Sequence, residues 1–481
     1  MPSSFFVSRG LGKAAALSAS GQLNEAVLAM GDREGAAAEI LRSRVELLKS
    51  DYAGALAHAE RAHAIARDQT ERLMARSSRA TANACLARPI ETFDARDVVN
   101  VEPEALEELL LGIAAAHVAA ADDTAAERWL AFLEPSAPHA IAKHLLLKAR
   151  IAELRLAPVD QAQIIGQLLD VLKEHRQEEA VLFCEAARIY AILARDLPLG
   201  DRIESLTDGE IFFDALTRFE VLRAQAWRRA LSGEFEAGLA SLMRAGAYAA
   251  TPLAHLAIHA DLAAIAVANG DTHSPFVRAA IETVGEWSRS IRWEDVTDEN
   301  ALLLPQFVQV AAEAQYQELA QENLALAMRV RPRAFALGRR FEALLGEAEA
   351  FAYAHSDERA AIAAAREAYA SFEKLGHDWR AGRSALLIHQ LTGLREWEQR
   401  AKEKLTAYPS SRFYQLLDAG NSRRLTRRQQ QVLDAARHGK SPAQIAAHLG
   451  IAEETVRKHL GPVMRHFGVK TRLELVARMH H

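Results

Sequence analysis

Residues 425–477 read LTRRQQQVLDAARHGKSPAQIAAHLGIAEETVRKHLGPVMRHFGVKTRLELVA. Four short helices can be marked off in this stretch from their end signals alone. Thr426, with Gln429 three residues later, makes a capping box, and Gly439 closes the first helix. Ser441, Pro442 and Gln444 supply an N-cap, a proline at the first helical position and an N3 partner, and Gly450 ends the second helix. The third helix spans 453–467 before Gly468, and Thr471 with Glu474 opens a fourth. Ile445, Ala446 and Leu449 are the apolar stripe of the second helix; Val456, Leu460, Val463 and Phe467 are that of the third. With that stripe inward, 100° per residue turns Glu454, Lys458, Gly461 and Arg465 outward, with Arg457 on the flank and Thr455 near the helix start. A helix that carries Arg and Lys on one face and points its N-terminus at a phosphate suits the major groove of duplex DNA.

The same residues resemble the LuxR-type helix-turn-helix family over about 55 positions. Leu425-Thr426, Val432-Leu433, Gly439, Ser441, Ile445-Ala446, Leu449, Thr455-Val456, His459-Leu460, Gly468-Val469 and Arg472 stand at the family's spacings. The resemblance implies a DNA-binding surface at Ser441, Thr455, Arg457, Lys458, His459, Arg465 and Arg472, with Gly461 facing the bases. It also implies pairing of two copies through the last helix, where Leu473, Val476 and Ala477 are the apolar candidates. Three residues depart from the pattern. Gln429 replaces the usual glutamate, and Ala452 replaces the serine N-cap of the recognition helix, at a cost of about 1 kcal/mol. Pro462 lies inside that helix, cannot donate to the Lys458 carbonyl, and is expected to kink or end it there.

Charge divides the chain in the same place. Residues 421–481 hold 12 Lys and Arg against 4 Asp and Glu, leaving 46 against 59 for residues 1–420. An acidic body of net charge −13 thus carries a basic tail of +8, as expected of a polyanion-binding module held by a larger scaffold. The 481 residues exceed what one hydrophobic core usually serves. Alanine is frequent and period-two runs of β-formers are nearly absent, which predicts an all-α protein.

Residues 1–410 are a succession of amphipathic helical segments divided by one recurring turn. Ser20-Gly21-Gln22-Leu23, Lys49-Ser50-Asp51-Tyr52, Ala121-Asp122-Asp123-Thr124 and Ser232-Gly233-Glu234-Phe235 each set small or polar residues before a helix with small residues in its first turns. Small residues there let neighbouring helices lie close. These units, and His355-Ser356-Asp357 leading to Phe372 and Gly376, resemble the helical pairs of tetratricopeptide (TPR) repeats and the helical repeats ahead of DNA-binding domains in large LuxR-family regulators. Breaks are expected at 197–200, 269–275 and 331–333. Residues 411–424, after Tyr408-Pro409-Ser410, read as a linker, and 425–481 as the DNA-binding domain.

Other signals carry less. Gly439-Lys440-Ser441 lacks the first glycine of a phosphate loop, because Asp434 stands in its place and no strand precedes it. His255 and His259 have chelating spacing but no third ligand nearby. The run Arg329, Arg331, Arg333, Arg339 and Arg340 reads as a solvated turn and helix face. Cys85 and Cys184 read as small buried hydrophobes. No catalytic constellation, cofactor motif, signal peptide or membrane-length apolar run is recognisable, so the expectation is a soluble, cytoplasmic, non-enzymatic chain. The reading is an all-α transcriptional regulator: a TPR-like α-solenoid that receives a protein or small-molecule effector, and a reader that binds double-stranded DNA as a homodimer and meets RNA polymerase if it activates. An alternative is a TPR-type adaptor that uses its C-terminal helices for protein contact.

Overall fold

The computed structural model describes residues 4–135, 137–199, 202–206, 214–292, 296, 301–330, 335–418, 427–437 and 440–466. Every regular element among them is a helix. Helices pack on their immediate successors, and often on the next but one as well. Ala36–Leu48, for example, touches both Tyr52–Ile65 and Gln69–Cys85, and Pro252–Ala268 touches both Pro275–Ser290 and Leu303–Glu313. The apolar core follows this order as overlapping clusters, from Phe5 to Ile151, then Ala142 to Ala224, then Phe219 to Leu417.

One turn recurs at many of these reversals. Among the described residues of the body it occurs ten times, with Gly10, Gly21, Ser50, Ala87, Ala121, Leu156, Gly233, Gly270, Gln315 or Gly376 in the left-handed conformation. In each case the next amide donates to the carbonyl five residues back, at 2.8–2.9 Å, as in Asp51 to Glu46 and Asp122 to His117. This bond satisfies a carbonyl that the helix end leaves open. The acidic turn residues then cap the helix that follows: Asp51 accepts from the Gly54 amide and Asp122 from that of Ala125. Small residues work as expected. Ala55, Ala59 and Ala62 are fully buried, and a Cβ on Gly238 would meet the Ala226 carbonyl at 2.9 Å.

Several sequence expectations need correction. Arg412–Asp418, within the stretch read as linker, is a helix whose Phe413 and Leu417 are buried in the body's core. Cys85 is exposed at a helix end, and only Cys184 is buried. Arg340, read as part of a solvated run, pairs with the buried Asp196; Arg331 and Arg333 lie outside the described residues. Among the described residues, no helix is long and apolar enough to cross a membrane and no cluster of metal ligands occurs.

The body also buries a network of charges that joins distant helices. Asp196 accepts from Arg380 Nε at 2.8 Å, Arg380 Nη1 donates to Glu347 at 3.1 Å, and Gln309 Nε2 donates to Glu347 at 2.8 Å. Arg383 donates to Gln309 and to Glu313. Beside it, Asp261 accepts from Arg223, Trp227 and Gln306. Burial pushes the Asp196 carboxyl up, but Arg340 and Arg380 outweigh it and hold it far below the usual carboxylate range. His377 at the network's edge has no partner on Nδ1, and burial lowers its pKa to about 4.

A neutral buried histidine sets a pH dependence. The folded-state pKa of His377 lies below its unfolded value, so its contribution is complete above about pH 6.5 and is lost as the unfolded chain takes up the proton. Denaturation of the parent should show about 2 kcal/mol lost to His377 between about pH 6.5 and pH 4.5. His377→Phe, which keeps a ring against Phe372, should flatten that slope to the residue left by His139, His144 and His259, whose pKa values burial also lowers.

Candidate nucleic-acid interface

The C-terminal module presents three described helices, Arg427–Arg437, Pro442–Leu449 and Glu453–His466, packed on one another. Its core is its own. Val432, Ala436, Ile445 and Val456 are fully buried, with Leu433, Leu460 and Val463 beside them and Leu449 and Ile451 packed at the edge. The second helix is locked at both ends. Ser441 Oγ accepts from the Gln444 amide at 3.3 Å, and Gln444 Oε1 accepts from the Ser441 amide at 2.8 Å, a complete capping box with Pro442 at the first helical position. At the other end Gly450 is left-handed and the Ile451 amide donates to the Ala446 carbonyl at 3.1 Å. The sequence reading of this helix stands at every one of those residues.

The third helix shows the two faces that its periodicity requires. Val456, Leu460 and Val463 point inward, while Glu454, Arg457 and Lys458 are exposed and Thr455, His459 and Gly461 are half-buried. Its 14 residues extend about 20 Å, enough to lie along a major groove about 12 Å wide. Arg457 is 70% exposed and donates to Glu453 at 2.8 Å, one turn back. That bond aims the guanidinium along the helix toward its N-terminus, and Lys458 beside it is exposed and has no ion-pair partner among the described residues, as expected of a phosphate or base contact. Ser441 is engaged as a cap. Arg465 belongs to the helix, whereas Thr426, Gly439, Arg472, Leu473, Val476 and Ala477 lie outside the described residues.

Pro462 does not end the helix. Glu453–His466 is one continuous element, against the expectation of a break after Gly461. The missing amide still leaves the Lys458 carbonyl without its intrahelical donor. Packing carries the helix through, since Leu460 and Val463 are buried on either side of the proline. At the start of the same helix, the Thr455 and Val456 amides donate to the Ala452 carbonyl, so the first turn closes without a side-chain cap.

A tri-helical unit with a tight turn before an exposed, basic third helix is a helix-turn-helix, a class that reads duplex DNA. Residues 423–479 match the family described as bacterial regulatory proteins, luxR family. This segment of the chain is a LuxR-family domain, which supports a DNA-binding transcriptional regulator. No curated protein matches the chain.

The capping box predicts its own energetic weight. Ser441→Ala should lower the stability of the module by about 1 kcal/mol, and Ser441→Asp should recover most of it. Unfolding followed by amide signals of residues 443–449 measures both.

Proposed function

We propose that the protein is a sequence-specific transcriptional regulator whose TPR-like helical body receives a protein or small-molecule effector and whose C-terminal module binds double-stranded DNA. The exposed Arg457 and Lys458, on a helix whose opposite face is buried, carry this reading. Thr455 at the helix start, Ser441, His459, Arg465 and Arg472 complete the proposed DNA surface. The +8 charge of residues 421–481 supports attraction to the phosphate backbone. The repeated hairpins support a repeat architecture, because most of them bury their apolar faces chiefly against their neighbours in sequence. We place the protein in the cytoplasm, where its DNA and, for an activator, RNA polymerase are found, and assign it no catalysis.

Lys458→Ala should weaken binding of the full chain to its operator by about 1–3 kcal/mol if it reaches a base edge, and should relax sequence preference at that position. Sites mapped genome-wide with the parent supply the operator for the measurement. Unchanged affinity in both Lys458→Ala and Arg457→Ala, with the fold intact, leaves the module to protein contact instead.

Pairing through Leu473, Val476 and Ala477 would place two readers about a two-fold axis, so the operator should be an inverted repeat. Footprints at saturation should cover two half-sites, and Leu473→Asp should reduce them to one.

A further inference from the structure

The helix Arg412–Asp418 is the last described element before the DNA-binding module, and it docks on the body's buried charges. The Phe413 ring stacks on Trp379 at 6.2 Å and 17°, and the Arg383 guanidinium lies 5.6 Å from its centre. Trp379 in turn stacks on Trp227 at 5.4 Å, and both tryptophans line a water-sized cavity with Gln309, Arg380 and Arg383. Leu417 is 2% exposed in the same core.

Two hairpin turns form the rest of the seat. Arg412 Nη1 donates to the Asn269 carbonyl at 2.9 Å, and its guanidinium fills the space that a Cβ on Gly270 would occupy. The Ser410 carbonyl lies 3.0 Å from where a Cβ on Gly233 would stand. Both glycines are left-handed. A seven-residue helix has little stability of its own, so its order depends on this seat. Such short elements packed on one side only open at lower free energy than the core on which they rest.

We propose that Tyr408–Asp418 is a latch that holds the DNA-binding module near the acidic body and thereby weakens its grip on DNA; the inference rests on the DNA-binding reading above. Asp418 and Arg427 are nine residues apart, a reach of at most about 30 Å. Releasing the chain from Tyr408 onward lengthens that reach to about 65 Å. While the latch is closed, DNA held by the module stays within that shorter reach of a body of net charge −13. That repulsion is screened beyond about 10 Å at 0.1 M salt. Opening the latch removes it.

Hydrogen exchange and duplex binding of the full chain test the two halves of the proposal together. The probe is a mixed-sequence duplex of about 30 base pairs, with affinity read by anisotropy at about 50 mM and about 300 mM salt. Phe413→Ala should speed exchange in 408–418 while the body stays protected, and should tighten binding about 3- to 10-fold at the lower salt and under about 2-fold at the higher. Arg412→Ala removes only an exposed bond and should shift both readouts the same way by less, which keeps the test valid if Phe413→Ala unfolds the body. Faster exchange with unchanged or weaker binding overturns the latch, and so does unchanged exchange in both variants. A parent chain that binds no duplex at either salt overturns the DNA-binding reading itself.

Discussion

A carboxylate taken out of water needs opposite charge close by, and Asp196 finds it in two arginines from helices far along the chain. Arg340 and Arg380 both reach it, and Arg380 then joins Glu347, which receives Gln309. None of these ions could stand in the interior alone. Each fixes the position of the next, so the helices that carry them are held in one arrangement. Trp379 sits in this frame with its indole N–H donated to the Arg195 carbonyl, and everything that packs on Trp379 takes its position from it. A set of interchangeable apolar contacts would not impose so definite an orientation.

The turns act locally where the charges act at a distance. Five of the ten left-handed positions at these turns of the body are not glycine: Ser50, Ala87, Ala121, Leu156 and Gln315. A side chain there costs on the order of 1 kcal/mol, which the closing hydrogen bond and the packed hairpin offset. The turn is therefore dictated by helices that must reverse within two residues, and the residue type follows only loosely.

That distinction explains what the sequence could and could not disclose. Ser441, Gln444 and Gly450 act on backbone within four residues of themselves, so their roles were legible and the structure repeats them. The same holds for the turns at Gly21, Ser50, Ala121 and Gly233. Leu156 and Gln315 gave no local sign of a left-handed backbone. The charge network was illegible because its partners lie up to 184 residues apart; Arg340 in a run of arginines looked solvated. Turn formers at 409–411 concealed the helix after them. Pro462 was read by local rules, and tertiary packing overrode them.

The contact between Arg195-Asp196 and Trp379-Arg380 also bears on how the chain folds. Nearly all other pairings join neighbours in sequence, and such hairpins can form early, at several places, with little entropy lost to loop closure. The Asp196–Arg380 closure costs least once the hairpins between them have formed and shortened the loop it must close. Until then each would leave a charge, or Trp379 a wide aromatic face, open to solvent. A slow final phase in which Trp379 and Trp227 leave water together is the expected kinetic signature of closing this junction.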